Sequence, residues 1–114
     1  MVDSNQRGLL PASAICSQGS VVEVAPGAIV SRTLMRSDGG NVTAFAFDEG
    51  QALTEHSAPF DAMVLLLEGG LVVTIGGTEH VLSQGDLIVM PADVPHAVRA
   101  TAPAKWILVM LKGE

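Results

Sequence analysis

Residues 85–96, GDLIVMPADVPH, form the stretch of sequence that decides the fold. A Gly-Asp pair opens it, four apolar residues follow, and two prolines then bracket a short loop that ends at His96. An apolar run bounded by turn residues predicts a strand. The carboxylate of Asp86 is expected to accept backbone N–H bonds in the preceding turn. Because Pro91 and Pro95 restrict the loop, His96 is predicted to sit at a rim with little conformational freedom.

A second informative stretch comes earlier, at residues 50–69, GQALTEHSAPFDAMVLLLEG. It contains His56 between two glycines and ends in a long apolar run. Alternate side chains of a strand share a face. We therefore expect Thr54, His56 and Ala58 to project together into the interior.

The rest of the chain supports an antiparallel all-β fold. Short aliphatic and β-branched runs alternate with Gly, Pro, Asp and Asn from about residue 21 onward,. Gly69-Gly70 and Gly76-Gly77 are predicted to form two-residue hairpin loops, which makes residues 63–82 a meander. Residues 1–20 are predicted to be an N-terminal tail or an added edge strand, and residues 21–114 the barrel domain. The predicted strands cover residues 29–35, 42–47, 63–68, 71–75, 79–82, 87–90, 96–100 and 106–112.

The two stretches resemble the two sequence motifs of small, single-domain, RmlC-like cupins. The earlier one is similar to the first motif, a Gly, then His-x-His, an acid, and a hydrophobic strand ending in Gly. The later one is similar to the second motif, in which Gly, Pro and His recur at set spacings. The resemblance covers about half of the chain. It implies a double-stranded β-helix, or jelly-roll, barrel with any chemistry centred on His56 and His96 at the barrel mouth.

The first motif departs from the family pattern at two positions. Cupins that bind a metal usually supply two histidines and a glutamate from the first motif and one histidine from the second. Here Ala58 stands at the second histidine position and Ala62 at the acid position. Two imidazoles alone offer a transition metal too few protein ligands. A carboxylate would have to come from elsewhere.

Asp61 is the nearest candidate, because it lies one position from the acid slot and a kink at Pro59 can rotate it inward,. Strict alternation points Glu55, the other candidate, away from His56. With His56, His96 and Asp61 as ligands, the resemblance implies a divalent transition metal: Zn, Fe, Ni, Mn or Cu. The predicted pocket residues around these three are Thr54, Glu55, Ala58 and Ala62.

Two other roles stay open for the histidines. They can be metal-free hydrogen-bonding or acid–base groups in an apolar pocket, or structural groups that backbone carbonyls satisfy. Two functions correspond to these roles. One is a metal-dependent enzyme, a dioxygenase or isomerase acting on a small organic molecule; the other is a non-catalytic or vestigial cupin that binds a small metabolite.

Composition excludes several function classes. Hydrophobic residues make up 48% and charged residues 16% of the chain, enough apolar surface for one folded domain,. The apolar runs are shorter than the roughly 20 residues of a membrane-spanning helix, so no membrane segment is expected. A net charge of −6, with six scattered Lys and Arg residues, does not favour nucleic acid,.

Location and assembly are further expectations. The polar residues within the first ten do not match a signal peptide, so a cytoplasmic location is expected,. The single cysteine, Cys16, cannot form an internal disulfide,. The cupin resemblance implies a homodimer, and a small apolar chain gains stability when a partner covers its sheet edges.

Overall fold

The computed structural model describes residues 8–112, which fold into seven β-strands and a single-turn 3-10 helix at Gln18–Ser20. All of the strand pairs are antiparallel. The all-β class predicted from the sequence is confirmed. In chain order the strands are β1 (Ile29–Ser37), β2 (Gly40–Phe47), β3 (Ala52–His56), β4 (Asp61–Ile75), β5 (Thr78–Leu82), β6 (Leu87–Met90) and β7 (His96–Leu111).

The two longest strands, β4 and β7, pair with each other along nearly their whole length. The pairing runs from Asp61 opposite Leu111 to Ile75 opposite His96, and its register shifts repeatedly around Gly69. Such bulges bend a strand pair and increase its twist. The β4–β7 pair is therefore divided into two arms that recruit different neighbours.

Each arm is a sheet built on half of this central pair. The first half of β4 and the last half of β7 lie in a five-strand arm with the order β1-β2-β7-β4-β6. The second half of β4 and the first half of β7 lie in a four-strand arm with the order β3-β7-β4-β5. Two sheets that share their long central strands form the jelly roll predicted from the sequence.

Gly69 makes the close approach at the bend possible. Its φ is +91°, and a Cβ atom built on it would overlap the carbonyl oxygen of Pro103 on β7. Only glycine adopts this conformation without strain and leaves room for the neighbouring backbone. The bend therefore depends on the absence of a side chain at position 69.

The main apolar core lies between the inner faces of the two arms. Phe47, Leu66 and Trp106 from the five-strand arm and Leu71 and Val73 from the four-strand arm are all fully buried in one cluster. Each fully buried side chain of this size contributes about 1.5–3 kcal/mol to folding. Packing across the core therefore holds the two arms together.

A second apolar cluster covers part of the outer face of the five-strand arm. Val21 and Val22 pack there on Ala44 and Ala46 of β2. The side chain of Arg32, on β1, donates hydrogen bonds to the carbonyls of Gly8 and Val21 at 2.9 and 3.1 Å. The segment before β1 is thereby fastened to the sheet.

The division of the chain after residue 20 stays a prediction. Leu10, on one side of it, packs against the same outer cluster that contains Val21, on the other side. Residues 1–7 of the predicted tail lie outside the described residues. Among residues 8–112, no helix is long and apolar enough to cross a membrane.

One of the two predicted hairpins is confirmed and the other is wrong. Ile75 pairs with Thr78 across Gly76-Gly77, which therefore forms the turn between β4 and β5. By contrast, Glu68 and Gly70 both remain paired with β7, so the chain continues through Gly69-Gly70 as one strand. A glycine with positive φ is compatible with a bulge as well as with a hairpin loop. Because residues on both sides of Gly69 pair with β7, the chain forms a bulge here.

Two further differences concern strand boundaries. The strands predicted at residues 96–100 and 106–112 are a single strand, β7, that passes through the bend. Strand β3 is missing from the predicted strand ranges, because Thr54-Glu55-His56 carries no aliphatic run, although the alternation expected for Thr54, His56 and Ala58 assumed an extended chain there. Both differences arise from pairing with distant parts of the chain.

Gly69→Ala is expected to lower the free energy of unfolding far more than Gly77→Ala, the matched control. The φ values of the two glycines, +91° and +85°, are similar, so both variants share a backbone strain of about 1–2 kcal/mol. Only at Gly69 would the new Cβ overlap backbone atoms, which should cost at least about 2 kcal/mol more. Urea unfolding measures the free energy of unfolding of both variants. Equal losses in Gly69→Ala and Gly77→Ala would show that the close approach of Gly69 to Pro103 does not constrain the bend.

Candidate functional site

His96 begins β7 directly after a loop that is fixed at both ends. At one end, the backbone N–H of Ala92 donates to Asp61 Oδ1 at 2.8 Å. At the other, the carbonyl of Pro95 accepts from the N–H of Gly76 at 2.8 Å. These bonds tie the loop to both ends of β4, which holds the His96 backbone in a fixed position.

His56 ends β3 and lies opposite His96 in the pairing of β3 with β7. The register of β3 shifts between Leu53 and His56, which marks a bulge,. As a result Leu53 and His56, three residues apart, line the same cavity, whereas Thr54 does not. The expected alternation of Thr54 with His56 is broken by this bulge.

The two imidazole rings are in direct contact. Their centroids are 4.5 Å apart, and the ring planes meet at 70°. His56 Nδ1 lies 2.8 Å from the carbonyl oxygen of Thr54, and His96 Nδ1 lies 3.2 Å from that of Val94. A carbonyl oxygen only accepts, so Nδ1–H is the donor in each neutral ring. Nε2 of each ring therefore carries the free lone pair.

The two histidines differ in exposure. His56 is exposed, whereas only 6% of the surface of His96 is accessible. Burial lowers the pKa of His96 below its ordinary value of 6.5; the Val94 carbonyl acts in the opposite direction, and charge on His56 lowers the pKa further,. His96 is therefore a neutral imidazole at pH 7.

Both rings line a cavity of about 50 Å³ between the inner faces of the two arms. A water molecule needs at least roughly 10–15 Å³ of such space, so the cavity has room for only a few water-sized groups. Among residues 8–112, no Lys, Arg, Asp or Glu contributes to its wall. The apolar part of the wall includes Leu53, Phe60, Met90, Val98, Leu108 and Met110.

Trp106 also contributes to the wall of this cavity, and its ring is fully buried. Its Nε1–H is the one buried side-chain nitrogen or oxygen among residues 8–112 that has no hydrogen-bond partner. A buried donor without an acceptor costs about 1–3 kcal/mol. The cavity wall therefore includes two imidazole rings and one indole ring.

Two larger depressions lie outside the interior of the barrel. One, of about 250 Å³, lies between the β1–β2 turn and the end of β7, and Met35 and Leu111 line it. The other, of about 320 Å³, lies beside Leu9 and Arg36. Within the described part of the chain, neither depression is lined by a histidine or an acidic residue. The smaller inner cavity, which both His56 and His96 line, is therefore the candidate site.

The predicted site residues separate into two groups. His56, His96, Ala58 and Ala62 all line the inner cavity. Thr54 and Glu55 are exposed on β3 and do not line it, although the Thr54 carbonyl holds the His56 ring. Asp61 is exposed and does not line the cavity; its Oδ1 bonds the Ala92 N–H.

Comparison with known families identifies the fold. The family model of the cupin domain matches residues 44–110, more than half of the chain. The chain belongs to the cupin family. No curated protein matches the sequence.

Solved structures agree with this assignment. A protein of unknown function from Streptococcus pyogenes is 33% identical, with a TM-score of 0.87 over 92% of each chain. A cupin superfamily protein from Desulfitobacterium hafniense is 25% identical, with a TM-score of 0.85 over 91% of this chain and 95% of that one. A cupin 2 conserved barrel domain protein from Leptotrichia buccalis is 35% identical, with a TM-score of 0.79 over 82% of this chain and 46% of that one. These similarities establish the jelly-roll cupin fold.

The donor atoms of this cupin do not complete a catalytic metal centre. Within residues 8–112, no group of three or more His, Cys, Asp or Glu side chains could hold a metal ion. His56 and His96 supply two nitrogen ligands, whereas catalytic zinc and non-haem iron sites normally use three protein ligands. Ala58 and Ala62 contribute space to the cavity in place of ligand atoms.

Sequence reasoning missed Trp106 as a site residue of the cupin. The indole ring lies in the main apolar core. One available signal was the alternation of Trp106, Leu108 and Met110, which places all three on one strand face. That alternation could have included the indole in the predicted pocket.

The stability of this cupin is expected to fall as pH drops below about 6.5 in the presence of EDTA. The pKa of His96 is lower in the folded state than in the unfolded chain. Its contribution to the free energy of unfolding is therefore complete above the unfolded-state pKa, and it is lost as pH falls through the folded-state pKa. Urea midpoints between pH 8 and pH 4.5 measure the loss, which should be reduced in His96→Gln and unchanged in the control His80→Gln.

The pKa of Asp48 is also lowered, by the backbone N–H groups of Gly27 and Glu49, but from an ordinary value of 3.8. Asp48 therefore titrates at lower pH than His96, and its titration does not interfere with the loss of stability that is assigned to His96. If His96→Gln lost as much stability as wild type between pH 8 and pH 4.5, the loss would not come from the titration of His96.

Proposed function

We propose that this cupin binds a small organic molecule in its inner cavity, without a metal, and that His56 and His96 are the polar contacts at the cavity mouth. The supporting observation is the combination of an apolar wall with two imidazoles whose Nε2 atoms are free. Small-molecule sites are typically apolar with a few placed polar groups.

The fixing of both rings supports this role. Each Nδ1–H is held by a carbonyl two residues earlier in the chain, and the loop before His96 is bonded to Asp61 and Gly76. Groups that are already oriented lose little conformational entropy when a ligand binds. The two imidazole rings are therefore preorganised for ligand binding.

A second candidate function is proton transfer, as in an isomerisation. The observation that favours it is the neutral His96 imidazole, a general base at pH 7, in contact with the more exposed His56,. Such chemistry needs an acid–base pair and no third metal ligand. Turnover of a bound ligand that is lost in His96→Gln, with binding retained, would favour this candidate over simple binding.

Filling the cavity is expected to abolish binding. Ala58→Leu places a larger side chain in the cavity wall, so neutral organic fragments found by ligand-observed NMR should bind at least about tenfold more weakly than to wild type. Ala52→Leu is the matched control, because Ala52 is exposed on β3 and does not line the cavity. Equal binding to wild type, Ala58→Leu and Ala52→Leu would place the fragment site elsewhere.

A metal centre would overturn the metal-free proposal. Elemental analysis of protein purified without an affinity tag or chelator, then incubated with Zn, Fe, Ni, Mn or Cu, should give much less than one metal per chain. Near-stoichiometric metal that disappears in both His56→Ala and His96→Ala would replace the proposal with a metallocupin. Loss in Asp61→Ala but not in Glu55→Ala would then identify the carboxylate ligand.

We also propose that the cupin is a homodimer formed through the uncovered outer face of the five-strand arm. Pairing with β4 places Leu87 and Val89 of β6 beside Leu65 and Met63 on this face, and both β6 side chains are more than half exposed. The outer apolar cluster does not include them. A second copy of the same face would bury this apolar row and cover the β6 edge.

Light scattering tests this assembly. Wild type is expected at twice the chain mass of 11.8 kDa, and Val89→Glu at the mass of one chain, because a charge in an apolar interface is costly. Val81→Glu is the matched control, since Val81 is 77% exposed on β5 of the other arm. A wild-type monomer at micromolar concentration would contradict the proposal.

A further inference from the structure

The mouth of the inner cavity is formed by lining residues that keep some exposure to solvent. These are Leu53, His56, Ala58, Phe60, Leu108 and Met110, whereas the deeper lining residues are buried. His56 ends β3, and Ala58 and Phe60 lie in residues 57–60, the connection between β3 and β4. A large part of the mouth therefore belongs to a connection outside the sheets.

The β3–β4 connection is held more weakly than the elements around it. In the described part of the chain, its one backbone hydrogen bond joins the Ala58 carbonyl to the Asp93 N–H, at 2.7 Å. Phe60 is half-buried and lines the cavity, but it is not among the side chains that pack on the main apolar core, whereas Leu53 and Leu108 are. Few hydrogen bonds and few core contacts are the features of a segment that opens at low free-energy cost.

The ends of this connection are fixed. Before it, His56 pairs with His96 of β7. After it, Asp61 pairs with Leu111, and its carboxylate accepts from the N–H of Ala92 in the loop that precedes β7. Movement is therefore confined to residues 57–60, which turn about two fixed ends.

The size of the closed cavity gives such a movement a purpose. The volume of about 50 Å³ has room for only a few water-sized groups, whereas pockets that enclose drug-sized organic ligands measure about 300–1,000 Å³. Phe60 is the largest side chain of the β3–β4 connection. Its displacement is the change at the mouth that would enlarge the space most.

We propose that residues 57–60 form a flap over the inner cavity. When the flap opens, the bond between the Ala58 carbonyl and the Asp93 N–H breaks, Phe60 moves outward, and the rest of the fold stays closed. This rests on the proposed function, because the flap admits the organic ligand. It adds a control of access to the site and a role for Phe60 as the residue that limits ligand size.

Native-state hydrogen exchange of the full-length ¹⁵N-labelled protein tests the movement without a ligand. The Asp93 amide reports on the flap, because it donates to Ala58. The amide of the fully buried Leu66 donates to the Asp86 carbonyl at 3.0 Å and reports on unfolding of the whole domain. Asp93 is expected to be at least about a hundredfold less protected than Leu66. Equal protection of the two amides would refute the flap, whether or not a ligand binds.

Pro59→Gly is expected to accelerate exchange of the Asp93 amide about twofold to fivefold, because glycine gives the open flap more conformational freedom. Pro26→Gly is the matched control, since Pro26 lies in an exposed turn before β1 and does not line the cavity. Both variants free the unfolded chain and should accelerate Leu66 exchange alike, but only Pro59→Gly should accelerate Asp93. Acceleration of Asp93 in both variants would show that it exchanges through global unfolding.

Probes of two sizes test whether the flap controls access. In full-length protein with ¹³C-labelled methionine methyl groups, Met90 reports on the deep side of the cavity, and Met35 and Met63, which do not line it, serve as internal controls. Acetone is a small neutral probe, and cyclohexanone is a larger one. Both are expected to shift the Met90 methyl signal in a saturable way.

Phe60→Ala is expected to strengthen cyclohexanone binding about tenfold, because a half-buried ring no longer has to leave its apolar contacts,. Acetone binding should stay within about threefold of wild type, because the smaller probe displaces less of the ring. The comparison between the two probes therefore separates a limit on size from a general change in affinity.

The two proposals fail in different ways. If neither probe shifts Met90 in wild type or in Phe60→Ala, the proposed binding function fails and the flap proposal fails with it. If acetone binds but Phe60→Ala leaves cyclohexanone binding unchanged, the flap proposal is wrong and the binding function stands. The exchange rates of wild type, Pro59→Gly and Pro26→Gly decide on the flap even if Phe60→Ala does not fold.

Discussion

The shared bend of β4 and β7 is the constraint on which the rest of the structure depends. Two strands of 15 and 16 residues remain paired through it, so a change of direction in one requires the same change in the other. At the bend, Gly69 lies against the Pro103 carbonyl with no room for a side chain. The two arms are thus set against each other by a backbone contact, and the buried core then fills the space between them.

The composition of the candidate site follows from this bend. His96 and Trp106 lie on the same strand, ten residues apart, yet line one cavity. On a straight strand, residues that far apart would be separated by roughly 33 Å. Because β7 crosses from the four-strand arm to the five-strand arm, the imidazole and the indole come to line the same small space. The cavity is therefore a property of the long strand pair as a whole.

The sequence predicted those features whose causes are local. The Gly85-Asp86 pair at the end of a turn, the short apolar strand and the two prolines before His96 lie within twelve residues, and the structure keeps them as expected. Gly69-Gly70 shows where such reasoning stops, since a positive φ is compatible with both a hairpin and a bulge. The pairing of Glu68 and Gly70 with β7 decides between them, and that pairing involves residues more than 30 positions away.

The same limit explains the differences at the site. Alternation along β3 predicted Thr54 as an inward residue, but the bulge before His56 changes the phase and turns Leu53 inward. Asp61 illustrates a different limit, because a carboxylate near two histidines in sequence is as suitable for a backbone N–H as for a metal. In the fold it accepts from Ala92, and this bond helps to position the loop that carries His96.

Ala58 and Ala62 connect the fold to the proposed chemistry. In the cupin pattern these positions carry metal ligands, and here both are small side chains in the cavity wall. The same two residues therefore remove ligand atoms and leave open space beside His56 and His96. What remains is a pair of imidazoles in a wall that is otherwise mainly apolar. This arrangement supports the proposed organic-ligand pocket, because small-molecule sites combine an apolar wall with a few fixed polar groups.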